Sequence, residues 1–376
     1  MRCSAFVQLR PEGAPSFAPS ISHHGGQATR ARRNFDNPNC RGYTASPTDW
    51  SPIAHPRPRL TSSVSEVPPD QQGSLLKPRV LYVLGYGRSG STMLGMALGQ
   101  HSHIVNLGEI SALRRFVPGP TYRAPRACGC LLQLDQCPYW TGVARRLGSL
   151  EKLARTGIAI SPTMGWRRYA PWLPEPSDEL PQWAEATAAL YRATLDEANA
   201  ALAVDTSKGA ARGWWLWKSG AIDLHFIWLT RRLEDVLRSQ IRHGQSAIKT
   251  ALSWRLAQRQ AAQITRQVEN AGVRVPRIFG QALIADPRAV LSRILEHVEL
   301  PWQEDVLTPR PDHVIGGDHA VKHGGRHVIE PSSGPRSPLP LRARLTLKLL
   351  DDSGPGEPIS RSSIRDAGPG TPPPTL

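Results

Sequence analysis

Val80-Leu-Tyr-Val-Leu-Gly-Tyr-Gly-Arg-Ser-Gly-Ser-Thr-Met-Leu94 carries an apolar segment into a glycine-rich turn, from which Ser91 and Thr92 open an amphipathic helix. Strand, loop and helix in that order place backbone N–H groups and a helix N-terminus around one point, which favours an anion there. The spacing Gly85-x4-Gly90-Ser91-Thr92 is that of a nucleotide P-loop except at one position. Where such a loop carries lysine this chain has Ser91, and the nearest cation is Arg88 inside the loop. The loop predicts a phosphate-like ligand without specifying a nucleoside triphosphate.

Outward from this stretch, composition narrows the folded part. The chain has 376 residues, but 1–76 is rich in Pro, Ser, Arg and Gly and has no sustained period of 2 or 3.6. Such a segment buries too little apolar surface to offset its ordering entropy, so it is expected to be disordered, and 351–376 reads the same way. One domain is expected over 77–350, with 111–180 as a variable lid or substrate region. The N-terminus lacks a long apolar h-region; a transit peptide and a mis-assigned start are both compatible with it. No apolar run reaches the ~18 residues of a membrane span, and a cytoplasmic location is expected.

The formal charge of +15 raises nucleic acid as a partner. The arginines are scattered through tails and amphipathic helices without a basic run, so no nucleic-acid partner is expected; small anionic substrates would gain from the same field. Of the five cysteines, Cys128, Cys130 and Cys137 lie close together, a hint of zinc. No fourth ligand has metal-like spacing, so no metal is expected and loop packing or incidental thiols are the favoured reading. The odd count gives no disulfide framework.

Strand and helix patterns alternate along the rest. A strand at 80–84 is followed by a helix from 91 to about 100 and a short strand at 103–107 ending at Gly108-Glu109. A helix over 183–201 runs into an apolar stretch, 201–204, closed by Asp205-Thr206-Ser207-Lys208. Then come a Trp-rich helix (212–218), a strand (224–229) ending at Thr230-Arg231, helices at 233–243 and 248–270, a further strand within 273–279 and a helix at 287–299. This alternation predicts an α/β fold: a P-loop-like three-layer sandwich around a central, mostly parallel sheet. Ligands in such sheets collect beyond the carboxyl ends of the strands. Four ends there carry complementary chemistry: the loop 85–90, Glu109, Asp205 to Lys208, and Arg231.

Taken together these motifs resemble the sulfotransferase family that uses 3′-phosphoadenosine-5′-phosphosulfate (PAPS), nearest to its bacterial members and its tyrosylprotein branch. The matching residues are Gly87-Arg88-Ser89-Gly90-Ser91-Thr92, then Gly108-Glu109 with its Glu twenty-one residues after Arg88, Val204-Asp205-Thr206-Ser207-Lys208, and Leu229-Thr230-Arg231 with Ser239 eight residues beyond the Arg. Cys128-x-Cys130…Cys137-Pro-Tyr-Trp140 also resembles a cysteine-bearing segment of many bacterial members. Departures are Arg232-Leu233 for Asp-Pro, Gly280-Gln281-Ala282-Leu283 for Tyr-Glu-Asp-Leu, and Gly316-Gly317-Asp318 for a Gly-Asn-x-x-Arg motif, with Lys322 or Arg326 as substitutes.

The resemblance implies sulfuryl transfer from PAPS, as co-substrate and with no metal, to a hydroxyl acceptor: sugar, lipid, small phenol or peptide tyrosine. Ser89, Gly90, Ser91 and Thr92 would hold the 5′-phosphosulfate, Arg88 and Lys208 would neutralise the bridging and leaving oxygens, and Arg231 and Ser239 would grip the 3′-phosphate. Glu109 would be the general base. Blander readings pair Glu109 with Arg114 or Arg115, pair Lys208 with Asp205, and pack Trp214, Trp215 and Trp217 in the core. Two rival functions stand beside this one. One is a P-loop kinase with Asp205 as its Mg²⁺ ligand, and the other a degenerate, non-catalytic anion binder.

Overall fold

The computed structural model describes residues 77–116, 127–159, 180–317, 329 and 338–350. The expected disordered tails, 1–76 and 351–376, lie outside these residues, as do 117–126 and 160–179 of the expected lid.

The opening strand, β1 (Arg79–Gly85), is apolar without a break because both of its faces are covered. Val80, Tyr82 and Leu84 enter one core cluster while Leu81 and Val83 enter another on the opposite face. Four more strands, β2 (Ile104–Gly108), β3 (Leu202–Lys208), β4 (Asp223–Thr230) and β5 (Arg277–Phe279), complete a sheet of order β2-β3-β1-β4-β5, parallel at every pairing. The chain leaves β1 toward β2 on one side and reaches β5 on the other, so the order reverses beside β1. Crevices for ligands form at such reversals.

The helices are α1 (Ser91–Leu98), α2 (Pro138–Leu147), α3 (Leu150–Ala159), α4 (Leu180–Ala198), α5 (Ala210–Ser219), α6 (Leu233–Arg242) and α7 (Ala247–Asn270), then α8 (Gly280–Ala285), α9 (Pro287–His297) and α10 (Leu341–Leu350). α1, α8 and α9 cover one face through Leu94, Leu98, Leu283, Leu291 and Ile294. The other face is covered by α2, α4, α5 and α7, with Trp140, Tyr191, Trp215 and Ile264 among the buried side chains. This is the expected three-layer arrangement. Part of the expected lid is core: Trp140 of α2 is fully buried and packs in the same cluster as β1. Trp214 and Trp215 also pack in that core.

Two boundaries differ from the sequence reading. β3 does not close at Asp205 but continues to Lys208, pairing with β1 as far as Leu84. Asp205 and Thr206 are polar yet buried in the strand, which broke the apolar pattern. The strand expected within 273–279 is only three residues long, an edge strand that pairs with β4 alone among the described strands.

Gly85 closes β1 at φ +147°, and a Cβ there would overlap the Leu229 carbonyl oxygen of β4. Gly85→Ala is therefore expected to lower stability by at least about 1–3 kcal/mol, the cost of the backbone conformation alone. The shift in urea midpoint at unchanged m-value measures it.

Candidate active site

The loop after β1 places Arg88 at φ +69°, and β3 ends with Lys208 at φ +64°. Left-handed backbone is uncommon for non-glycine residues and gathers at functional sites, held there by the surrounding structure. Gly90 is the N-cap of α1, and no side chain hydrogen-bonds to cap that helix. Ser89 is buried, and its Oγ has no hydrogen-bond partner among the described residues.

At one end of the loop, Lys208 Nζ sits 2.6 Å from Glu109 Oε1 and 3.3 Å from Ser91 Oγ, and also donates to the Thr206 carbonyl at 2.9 Å. Three of the residues singled out from sequence thus meet at one point. Glu109 therefore pairs with Lys208, not with Arg114 or Arg115, which are exposed. Lys208 in turn pairs with Glu109 rather than with Asp205. The Lys208 side chain is 14% exposed and that of Glu109 36%, so the pair lies at a wall that solvent reaches. Glu109 is held by its backbone: its N–H donates to the Ile315 carbonyl at 2.6 Å, and Ile315 N–H donates to Leu107 at 3.0 Å. Gly108 before it has φ +69°, and a Cβ there would overlap the Ile315 carbonyl oxygen. The 313–316 segment therefore backs the carboxylate, with Gly316 against its side chain.

At the other end, Arg88 Nε donates to Ser239 Oγ at 2.8 Å, and its Nη2 lies 2.8 Å from His243 Nε2. Arg231 Nη1 donates to the Arg88 carbonyl at 3.2 Å. Arg88, Ser239 and Arg231, far apart in sequence, converge on the loop. Arg88, expected at the leaving oxygens, turns here toward the pair expected at the 3′-phosphate; the cation beside Glu109 is Lys208. Asp235 Oδ2 stands 3.9 Å from Arg231 Nε and accepts 2.8 Å from Gln281 Nε2. Gln281, one of the family departures, therefore steadies the carboxylate that faces Arg231. His243 escaped the sequence reading, although its place four residues after Ser239 puts both on one face of the helix end.

Asp205 is spoken for. It is fully buried; Oδ2 accepts from the Tyr191 hydroxyl at 2.5 Å and lies 3.7 Å from Arg212 Nη2, while Oδ1 accepts from Ser207 N–H at 2.8 Å. Burial first, and then the Asp205 charge, push the Tyr191 and Tyr82 phenols well above their ordinary pKa. Both carboxylate oxygens are occupied inside the core, so Asp205 does not present a Mg²⁺ ligand at the loop. Elsewhere, Cys128, Cys130 and Cys137 gather with His313, a fourth donor that no local spacing revealed. Lys322 and Arg326, and Asp318 of the C-terminal motif, lie outside the described residues.

The fold and this site define a parallel α/β protein with a glycine-rich strand–loop–helix turn flanked by a Lys–Glu pair and an Arg–Ser–Arg group. No family model and no curated protein sequence matches the chain. Among solved structures, the chain is similar to the sulfotransferase domain from the Synechococcus olefin synthase, at 20% identity over 74% of this chain and 97% of that one, with a TM-score of 0.39. The sulfotransferase domain from the curacin biosynthetic pathway aligns at 19% identity over 73% and 97%, with a TM-score of 0.41. A sulfotransferase from Alicyclobacillus acidocaldarius aligns at 11% identity over 66% and 89%, with a TM-score of 0.35. Among the described residues no helix is long and apolar enough to cross a membrane.

Proposed function

We propose that the protein is a sulfotransferase that moves the sulfuryl group of PAPS to a hydroxyl acceptor. The observation that supports this reading best is the contact of Lys208 with both Glu109 and Ser91. It sets a base and a cation side by side at the mouth of an anion loop whose helix start is uncapped. In the proposed reaction the acceptor oxygen attacks sulfur in line, and the bond from sulfur to the bridging 5′-phosphate oxygen breaks. Glu109 takes the acceptor proton, and adenosine 3′,5′-bisphosphate leaves. Lys208, released from Glu109 toward the bridging oxygen, neutralises the charge that gathers there; such electrostatic stabilisation is a major contribution to group transfer. Arg88, Arg231 and Ser239 hold the 3′-phosphate end, with His243 orienting Arg88. The kinase alternative lacks its metal ligand, since both Asp205 oxygens are engaged in the core.

Ligand choice tests this reading. Adenosine 3′,5′-bisphosphate is expected to bind by calorimetry with no divalent cation added, and to displace ATP. Arg231→Met should weaken it about 10–100-fold, the worth of charge-assisted hydrogen bonds. Adenosine 5′-phosphosulfate, which lacks the 3′-phosphate, should be little affected. Binding of ATP that requires Mg²⁺, without binding of the bisphosphate, would overturn the proposal.

A further inference from the structure

Cys128, Cys130, Cys137 and His313 each bring one donor atom to a common point, all four within 4.8 Å of one another. Cys128 Sγ stands 3.7 Å from Cys137 Sγ and 3.4 Å from Cys130 Sγ, and Cys137 Sγ lies 3.2 Å from His313 Nδ1. A tetrahedral ion with metal–sulfur bonds of about 2.3 Å has donor–donor edges of about 3.8 Å. These three spacings lie at or just inside such edges, and the remaining donor pairs stay within 4.8 Å, close enough for small side-chain shifts to close them on one centre. From this geometry we infer that the four residues bind a zinc ion in a closed, structural site.

The donor set selects the metal. Three thiolates and one imidazole at tetrahedral spacing suit zinc, and with all four positions supplied by protein no place remains for water or substrate. A disulfide would use two of the sulfurs and leave Cys130 or its neighbours, and His313, without a purpose in the cluster. The outer partners also fit a metal ligand. With Nδ1 facing the sulfurs, His313 Nε2 looks at Asp312 Oδ1 at 3.5 Å, the kind of carboxylate that orients a ligating imidazole. Tyr139 stacks on the His313 ring with centroids 5.3 Å apart and planes 15° apart. The cysteine loop is tightened by Cys128 N–H donating to Leu132 at 2.9 Å. Cys128 and Cys137 are buried, which shields the cluster. Three thiolates and a neutral imidazole around Zn²⁺ would leave the cluster one negative charge.

The ion would join segments 176 residues apart, Cys137 on one side and His313 on the other. The same junction is sewn by Gly129 N–H to the Val314 carbonyl at 3.0 Å and by Trp140 Nε1 to the His313 carbonyl at 2.8 Å. Two residues after His313, Ile315 receives the Glu109 N–H. Zinc would thereby clamp the segment that backs Glu109. That consequence, unlike metal binding itself, rests on the proposed function only where Glu109 is read as a base.

The test is metal content of the full chain, expressed with zinc present and purified without chelator. Elemental analysis should find about one zinc per chain. Replacement with Co²⁺ should give the intense visible bands of tetrahedral thiolate-ligated cobalt. Cys137→Ser and His313→Ala should each lose the metal or weaken it at least about 10-fold, as loss of one ligand requires. Amide exchange on the wild type should show residues 312–316 losing protection when the metal is stripped, a readout that needs neither variant nor activity. Wild-type protein with less than about a tenth of a zinc per chain and a Cys128–Cys137 disulfide by mass spectrometry would overturn the inference. So would a cobalt spectrum without thiolate character. Metal retained by a chain that transfers no sulfate would leave the site standing and remove the functional proposal alone.

Discussion

Glu109→Gln is expected to reduce sulfuryl transfer about 10²–10⁴-fold, the usual worth of a positioned general base. The change keeps the shape and the hydrogen-bonding reach of the side chain and removes its negative charge and its capacity to take a proton. Its stability cost should be small, because the ion pair with Lys208 stands at a partly exposed wall and such pairs contribute about 0–1 kcal/mol. Bisphosphate affinity should stay within a few-fold of wild type, since Arg88, Arg231 and Ser239 lie at the other end of the loop. The informative result is this split: kcat falls while the ligand's Kd holds. Equal losses in both would mean that Glu109 supports the loop structurally through Lys208 and Ser91. Retained turnover would remove it as the base.

Asp205→Ala is expected to have the largest effect on folding. The carboxylate is buried between the Tyr191 hydroxyl, the Ser207 N–H and the Arg212 guanidinium, which is itself buried. Removing it leaves the Arg212 charge inside the core without its counter-charge, and breaking such a pair costs about 3–5 kcal/mol. Urea unfolding should show that loss. Replacing both charges, as in Asp205→Leu with Arg212→Met, should cost markedly less than Asp205→Ala alone, because the uncompensated charge disappears with its partner. A single-variant loss below about 1 kcal/mol would place solvent or another anion at Arg212 and contradict the buried network.

The parts of this architecture that were legible in sequence are those governed by local rules. The unbroken apolar run of β1 means burial on both faces, and the loop glycines announce the turn into α1. Glu109 and Arg231 stood out because polar groups followed directly on apolar strands. β3 was cut short at Asp205 because a buried acid looks like a strand end. Tyr191 of α4 and Arg212 of α5, with the Ser207 N–H, make it tolerable inside the sheet, and neither Tyr191 nor Arg212 signals its partner by spacing. The Arg88 contact with Ser239 spans 151 residues, and neither pattern nor motif likeness announces it, because the motif sets Arg88 at the leaving oxygens and Ser239 beside Arg231. His313 was invisible too: a lone histidine acquires meaning when the fold returns it to the cysteine loop. α10 escapes the sequence reading because its leucines lie on two faces. Leu341, Leu345 and Leu349 are exposed while Ala343, Leu347 and Leu350 pack on the α6 and α7 side of the core, so no single apolar face stands out in the pattern.

Incubation of the purified chain with ³⁵S-labelled PAPS and sugar, lipid, phenol and tyrosine-peptide acceptors tests the central claim most directly. Label is expected on one class of hydroxyl acceptor, with adenosine 3′,5′-bisphosphate released in equal amount, and both should nearly vanish with Glu109→Gln. The contradicting result is bisphosphate release at the same slow rate with every acceptor and with none, identical in wild type and in Glu109→Gln.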